Sequence, residues 1–294
     1  MDAPMWRAVR ELYYKDLVIE ALAEADKLGG FDSNDIFAEA LVRRDGKTWV
    51  IRKWLTVEVL PGEAGANFDA VLDLIGVECE DLSQLFGWDN REGTVVAFLP
   101  SIVEAEWMPA RWGYFVDKVP YDKICLPHHL LQMPRLLRKA IRHEFMHAIT
   151  LNLCNGHDPR WLAEAMSTLV EGRISGTSWN HFQMSPRDWL NPAHLIGMLT
   201  TDHREPEKAS AVTLAYDQSS FLGLFLFNDG GAERIGRMLR AIGEESILTN
   251  VELQILGRTR ADGALRRVYR LSEDELFAKT LGWIRSGRVP EPPF

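Results

Sequence analysis

Two histidines four residues apart flank a glutamate in the stretch His143-Glu144-Phe145-Met146-His147. On a helix, positions four apart lie about 40° apart around the axis and about 6 Å apart along it. Both imidazoles can therefore reach one zinc ion, and Glu144, beside the first of them, can reach a water on that ion and take its proton. The chemistry such a set could do is metal-assisted hydrolysis. Two imidazoles do not complete it, because a catalytic zinc takes three protein ligands and keeps an open position. Glu164 is the candidate third ligand, since it sits among apolar residues in the run from Trp161 to Glu171, an unusual place for a carboxylate without a task. Glu171, the other carboxylate of that run, stands at its end beside Gly172 and reads as solvated.

The elements that must position these groups are legible around them. The run from Met133 to Ile149 has a helical pattern, with Pro134 suited to a first turn and Asn155-Gly156 to a stop. A second helix is expected next, with Asp158 as N-cap, Pro159 as first residue and Gly172 as stop. Its apolar stripe would be Leu162, Ala165, Met166, Leu169 and Val170. A short turn over Asn152–Pro159 would fold it back on the first helix. Arg135, Arg138, Lys139 and Arg142 make the nearest thing to a basic run, spaced as the wet face of the motif helix.

Upstream, residues 5–43 read as two helices, one stopped by Gly29-Gly30 and one from about Asn34 to Arg43, expected to pack on the main body, with a partner-binding surface as the alternative. Thr48 to Leu60 reads as a strand or hairpin, Phe68 to Phe86 as a helix, and Thr94 to Leu99 as a short apolar strand. A loop rich in Trp, Pro and Gly follows from Ile102 to Gly113. Tyr114–Val116 and Ile124–Leu126 then read as strand segments around the Val119-Pro120 bend, and the prolines at 120 and 127 suit a sheet edge. Strand, helix, strand and edge make an α+β lobe. Downstream, residues 173–212 read as loops that shape a substrate pocket. Helices follow around Tyr216, along Ile235, Met238, Leu239 and Ile242, briefly over Val251–Leu256, and after the capping box Ser272-Glu273-Asp274-Glu275.

A chain of 294 residues, 46% hydrophobic and 26% charged, suits one large domain or two lobes. A net charge of −9 argues against a nucleic-acid surface, which needs clustered Lys and Arg. Cys79, Cys125 and Cys154 are too few and too scattered for a disulfide framework or a cysteine metal site, and their low, odd count suits a reducing compartment. The first residues hold no apolar core of signal-peptide length, and the longest apolar run, Phe221 to Phe227, is far short of a membrane span. A soluble cytoplasmic protein without nucleic-acid or membrane partners is expected.

The motif followed by Trp161-Leu162-Ala163-Glu164-Ala165 resembles the gluzincin zinc metallopeptidases, and most of all their peptidase-MA-like group of small bacterial proteins. That group tends to carry a later Ala-Tyr-x-Gln-Ser segment, here Ala215-Tyr216-Asp217-Gln218-Ser219, then an apolar helix and a glycine, here the run to Phe227 and Gly230-Gly231. The resemblance covers about residue 55 to the C-terminus. It departs at Ala165, where the family usually has Gly.

What the resemblance implies is an α+β, two-lobed zincin-like fold, with 46–156 a lobe with a small mixed sheet ending in the motif helix and 157–294 a mainly helical lobe carrying the third ligand; residues 1–45 fall outside the resemblance and read as a helical extension. One zinc per chain would sit on His143, His147 and Glu164, with Glu144 as general base and a peptide or protein as substrate. An extended peptide would add as a strand to the sheet edge, here within Trp112 to Leu126. Tyr216 is the first choice for a second donor to the tetrahedral oxyanion, with His157, His181 and His203 as rivals. His128 and His129 precede the motif helix and would cap it. The alternative from another class is a non-catalytic peptide- or protein-binding module on the same scaffold. A third reading, zinc that merely ties two helices together, would need a fourth protein ligand.

Overall fold

The computed structural model describes residues 4–15, 17–27, 34–62, 65, 67–89, 93–100, 114–116, 122–157, 159–172, 189–199, 209–244, 259–287 and 289. The chain is of mixed α and β structure and divides into two compact units. One comprises Met1–Asp81 with Asp89–Ala148, the other Leu82–Trp88 with Ile149–Phe294.

The first unit is built on a five-stranded mixed sheet. Strands β1 (Lys47–Arg52) and β2 (Leu55–Val59) form an antiparallel hairpin. Next come β3 (Thr94–Leu99), β4 (Tyr114–Val116) and β5 (Asp122–Pro127), and the spatial order is β1-β2-β3-β5-β4. β2, β3 and β5 run parallel, and β4 lies antiparallel on β5. Every residue of β3 and β5 is buried, as expected where a parallel sheet is covered on both faces and its strands read as continuous rather than alternating runs. The segment Ile124–Leu126, expected at an edge, is instead interior, with β3 on one side and β4 on the other. Pro127 is tolerated because it ends the strand. Among the described strands, β4 and β1 are the edges.

Three helices, not two, precede the sheet: α1 (Pro4–Tyr14), α2 (Val18–Asp26) and α3 (Asn34–Asp45). Val42 of α3 packs on Ala97, Leu99 and Cys125. The same face of the sheet carries a buried charge cluster. Lys123 Nζ lies 2.7 Å from Glu39 Oε1 and 3.7 Å from Glu58 Oε2, and Arg43 Nη1 donates to Glu58 over 2.9 Å. Burial alone would push the Lys123 ammonium down, but Glu39, with Cys125 and Glu58, outweighs burial and holds it well above the ordinary lysine range. Tyr13 Oη donates to Glu39 across 2.7 Å, so α1 joins the cluster. The expected packing of the N-terminal helices is thus built on charge as well as on apolar contact.

The opposite face receives α4 (Phe68–Phe86). Trp49 and Ile51 of β1 meet α4 at Phe68, ring centroids 4.9 Å apart, and at Gly76, where an added Cβ would come within 3.0 Å of Ile51. After β5 a 3-10 turn (His128–Gln132) leads into α5 (Pro134–Leu153), the motif helix. Phe145 of α5 stacks on Trp54, in the β1–β2 turn, at 6.0 Å and 24°.

The second unit is helical in its described residues: α6 (Arg160–Val170), α7 (Pro192–Leu199), α8 (Ala209–Asn228), α9 (Gly231–Gly243), α10 (Arg260–Val268) and α11 (Glu273–Arg285). Part of the stretch expected as pocket-forming loops is therefore helix, namely α7 and the start of α8. Residues 173–188 and 200–208, like Ile102–Gly113 and Val251–Leu256, lie outside the described residues. α6 is buried at every position from Trp161 to Val170, so the expected stripe is one side of a helix enclosed all round. Its N-cap is Pro159, with no side-chain cap. Asp158, expected in that role, is outside the described residues. The capping box at Ser272 forms as read, with Ser272 Oγ accepting from the Glu275 backbone and Glu275 Oε2 from the Ser272 backbone. Among the described residues no helix is long and apolar enough to cross a membrane.

Candidate metal centre

α5 begins at Pro134, whose missing N–H costs nothing in a first turn. Beyond its end, Asn155 and Gly156 take the left-handed conformation, φ 53° and 77°. Between Ala140 and Thr150 every residue is buried except His143 and His147, which are half-buried. The helix is thus closed on all sides but one, and the two imidazoles occupy the opening. Their rings are 4.9 Å apart at 70°, and their Nε2 atoms are 3.2 Å apart. Two nitrogens bound to one tetrahedral zinc at about 2.0–2.1 Å stand about 3.3 Å apart. The pair fits that chelate.

Glu164 lies on α6 and is buried to 3% exposure. Burying an ionised carboxylate is costly unless positive charge or hydrogen bonds compensate it. One ligand atom from each of His143, His147 and Glu164 lies within 4.8 Å of the others. Among the described residues no fourth His, Cys, Asp or Glu joins this group. Two imidazoles and one carboxylate suit a zinc ion, and a set of three ligands, all that the described residues supply, is the number found in catalytic centres, where the fourth position is open. Glu144 is buried on α5 beside His143.

The structure thus brings together three of the five site residues read from the sequence, with Glu144 adjacent in the chain. Tyr216 is half-buried on α8 and is not a member of the group. His157, beyond the end of α5, has its pKa lowered by burial and by the charge of Arg260, which works against service as an imidazolium donor. The His128 and His129 rings meet edge to face at 6.4 Å in the 3-10 turn. His181 and His203 lie outside the described residues.

Sequence reasoning missed what holds the ligand helices. Arg142, read as part of a wet face, is buried. Its Nη1 donates to Glu78 of α4 over 2.5 Å, and Arg138 Nε meets the other oxygen of Glu78 at 2.6 Å. On α6, the carbonyl of Ala165 faces Gly223 of α8, where an added Cβ would come within 2.3 Å of that oxygen. Gln218, expected only as part of a family segment, is fully buried. Its amide donates to Leu190 O at 2.7 Å and accepts from Leu190 N at 2.9 Å, pinning the chain just before α7. An amide in a strongly apolar helix was the available signal, since such a group needs buried partners.

Compared with family models, with curated proteins and with solved structures, the chain matches none.

Proposed function

We propose that this protein is a zinc-dependent metallopeptidase of the gluzincin kind, with one zinc per chain on His143, His147 and Glu164. The observation that carries the reading is the 3.2 Å approach of the two Nε2 atoms with a carboxylate oxygen of Glu164 gathered to them within 4.8 Å. A two-lobed zincin-like fold is part of the proposal. In its support stand the mixed sheet, its antiparallel edge strand β4, and the run from β5 through a 3-10 turn directly into the motif helix. Free cysteines at 79, 125 and 154 suit the cytoplasmic setting it assumes.

Bound there, zinc would supply Lewis acidity, lowering the pKa of a water toward about 7 and offsetting charge on the attacked carbonyl oxygen. The chain's own groups do the rest. Glu144 accepts the proton of the attacking water and later delivers it to the leaving amine. Tyr216 is the candidate donor to the tetrahedral oxyanion. Among the described strands β4 lies at a sheet edge, the place where an extended peptide would add as a strand.

The test is hydrolysis of an unfolded protein substrate by the parent and by Glu144→Ala. The variant should keep its metal and lose about 10²-fold or more in rate, the usual worth of a general base. A chelator should abolish the parent's activity. A fully active Glu144→Ala would sink the mechanism, and an inert parent with metal bound would favour the peptide-binding module.

A further inference from the structure

The start of α6 has no side-chain cap, because its N-cap is Pro159. What ties this end of the helix down is Trp161, in its first turn and exposed to only 1%. Its indole Nε1 donates to Glu273 Oε1 over 2.7 Å. Glu273 is itself held rigidly. Thr259 Oγ1, the N-cap of α10, donates to its other oxygen at 2.8 Å, and its backbone N–H donates to Asp262 Oδ1 at 2.9 Å. Glu273 is the first residue of α11, inside the capping box that runs from Ser272 to Glu275. The starts of three helices therefore converge on one carboxylate, and the Trp161 ring is steadied from the side by Phe277, edge to face at 5.5 Å.

A buried carboxylate is a costly way to anchor a helix when an apolar contact would pack as well. What the carboxylate adds is direction, since a charge-assisted hydrogen bond fixes the orientation of the indole. On α6, Trp161 precedes Glu164 by three residues, so the two share one side of the helix. Rotation or sliding of the first turn would carry the Glu164 carboxylate away from the histidines.

We infer that Glu273 is a positioning residue for the metal centre, acting through the indole N–H of Trp161 to set the place of Glu164. The inference rests on the metallopeptidase reading above for the identity of the ligand set.

The experiment is zinc affinity of the full chain, measured at neutral pH by competition with a chromophoric chelator, beside the thermal midpoint of each metal-free protein. Trp161→Phe, which keeps the ring and removes the donor, and Glu273→Ala should each weaken zinc binding about tenfold, the lower end for groups that orient a metal ligand. Glu273→Gln keeps an acceptor for the indole and should stay within about threefold of the parent. Met238→Ala, a core cavity on α9, serves as the control for destabilisation alone and should leave the affinity within about threefold even where its midpoint falls as far. Should Glu273→Ala fail to fold, Trp161→Phe carries the comparison. Unchanged affinity in Trp161→Phe, or an equal loss in Met238→Ala, would overturn the inference while leaving the metal centre standing. A parent that binds no zinc would overturn the metal centre itself and the inference with it.

Discussion

The two helices that carry the candidate ligands are held by different kinds of contact. α5 is clamped by charge: Arg138 and Arg142, one turn apart, close on the single carboxylate of Glu78. α6 is held by proximity: it is buried throughout and meets α8 where Gly223 leaves no room for a Cβ. A charge clamp fixes rotation about the helix axis and depends on side chains. A backbone-to-backbone approach fixes distance and tolerates no added atom. Two histidines on one helix already share a geometry, so α5 chiefly needs the right rotation. Glu164 comes from a different helix, and for it distance decides.

The largest expected effect breaks the clamp. Glu78→Ala leaves Arg142 buried without its carboxylate and should cost about 3–5 kcal/mol in denaturant unfolding. If the clamp acts mainly through this pairing, Glu78→Leu combined with Arg142→Met should recover most of the loss, as apolar replacement of a whole buried pair often does. A double variant as unstable as the single would show that Glu78 has another role.

Next in size is Gly223→Ala. The new Cβ would strike the Ala165 carbonyl, and the strain should cost about 1–3 kcal/mol. Unlike the clamp variant with its apolar rescue, it should also weaken zinc binding, because it pushes on the distance that Glu164 needs. Retained affinity would show that α6 can shift without moving its ligand. Arg138→Ala is the smaller counterpart on α5. Its side chain is 55% exposed, so the loss should stay below about 1 kcal/mol. A loss as large as that of Glu78→Ala would place the clamp's strength on the wet side of the helix.

The smallest effect is a pH dependence in what holds α6. Burial pushes the Glu273 carboxyl above its ordinary value, although hydrogen bonds from Thr259 and Trp161 pull it down. A carboxyl raised in the folded state contributes stability below its unfolded pKa, about 4.3, and loses it as pH rises through the folded value. Glu273→Gln, which stays neutral, should therefore gain on the parent as pH rises from about 4 toward 7. A stability difference that does not change with pH would contradict that.

Local signals carried the sequence reading a long way. Pro134 and Asn155-Gly156 bound α5, Phe68 to Phe86 is the whole of α4, and Ser272 opens α11. Each of these rests on residues within a turn or two of the boundary. The clamp was illegible because Glu78 is 64 residues from Arg142, and periodicity alone assigns an arginine at that spacing to solvent. α6 looked amphipathic because it contains Glu164, Ser167 and Thr168. Thr168 hides its hydroxyl by donating to the Glu164 carbonyl at 2.6 Å, a local bond that lets a polar residue sit in a dry place. The break between α1 and α2 was missed because the N-cap there is Leu17, with no side-chain hydrogen bond. The site shows the same split. The candidate ligands were read from spacing and resemblance, and the groups that hold their helices come from distant segments.

The most direct measurement is the metal content of the purified protein beside Glu164→Ala, by elemental analysis. The account predicts about one zinc per chain in the parent and much less in the variant. Equal zinc in both would remove Glu164 from the centre, and no zinc in either, even after incubation with the metal, would contradict a zinc site at His143 and His147.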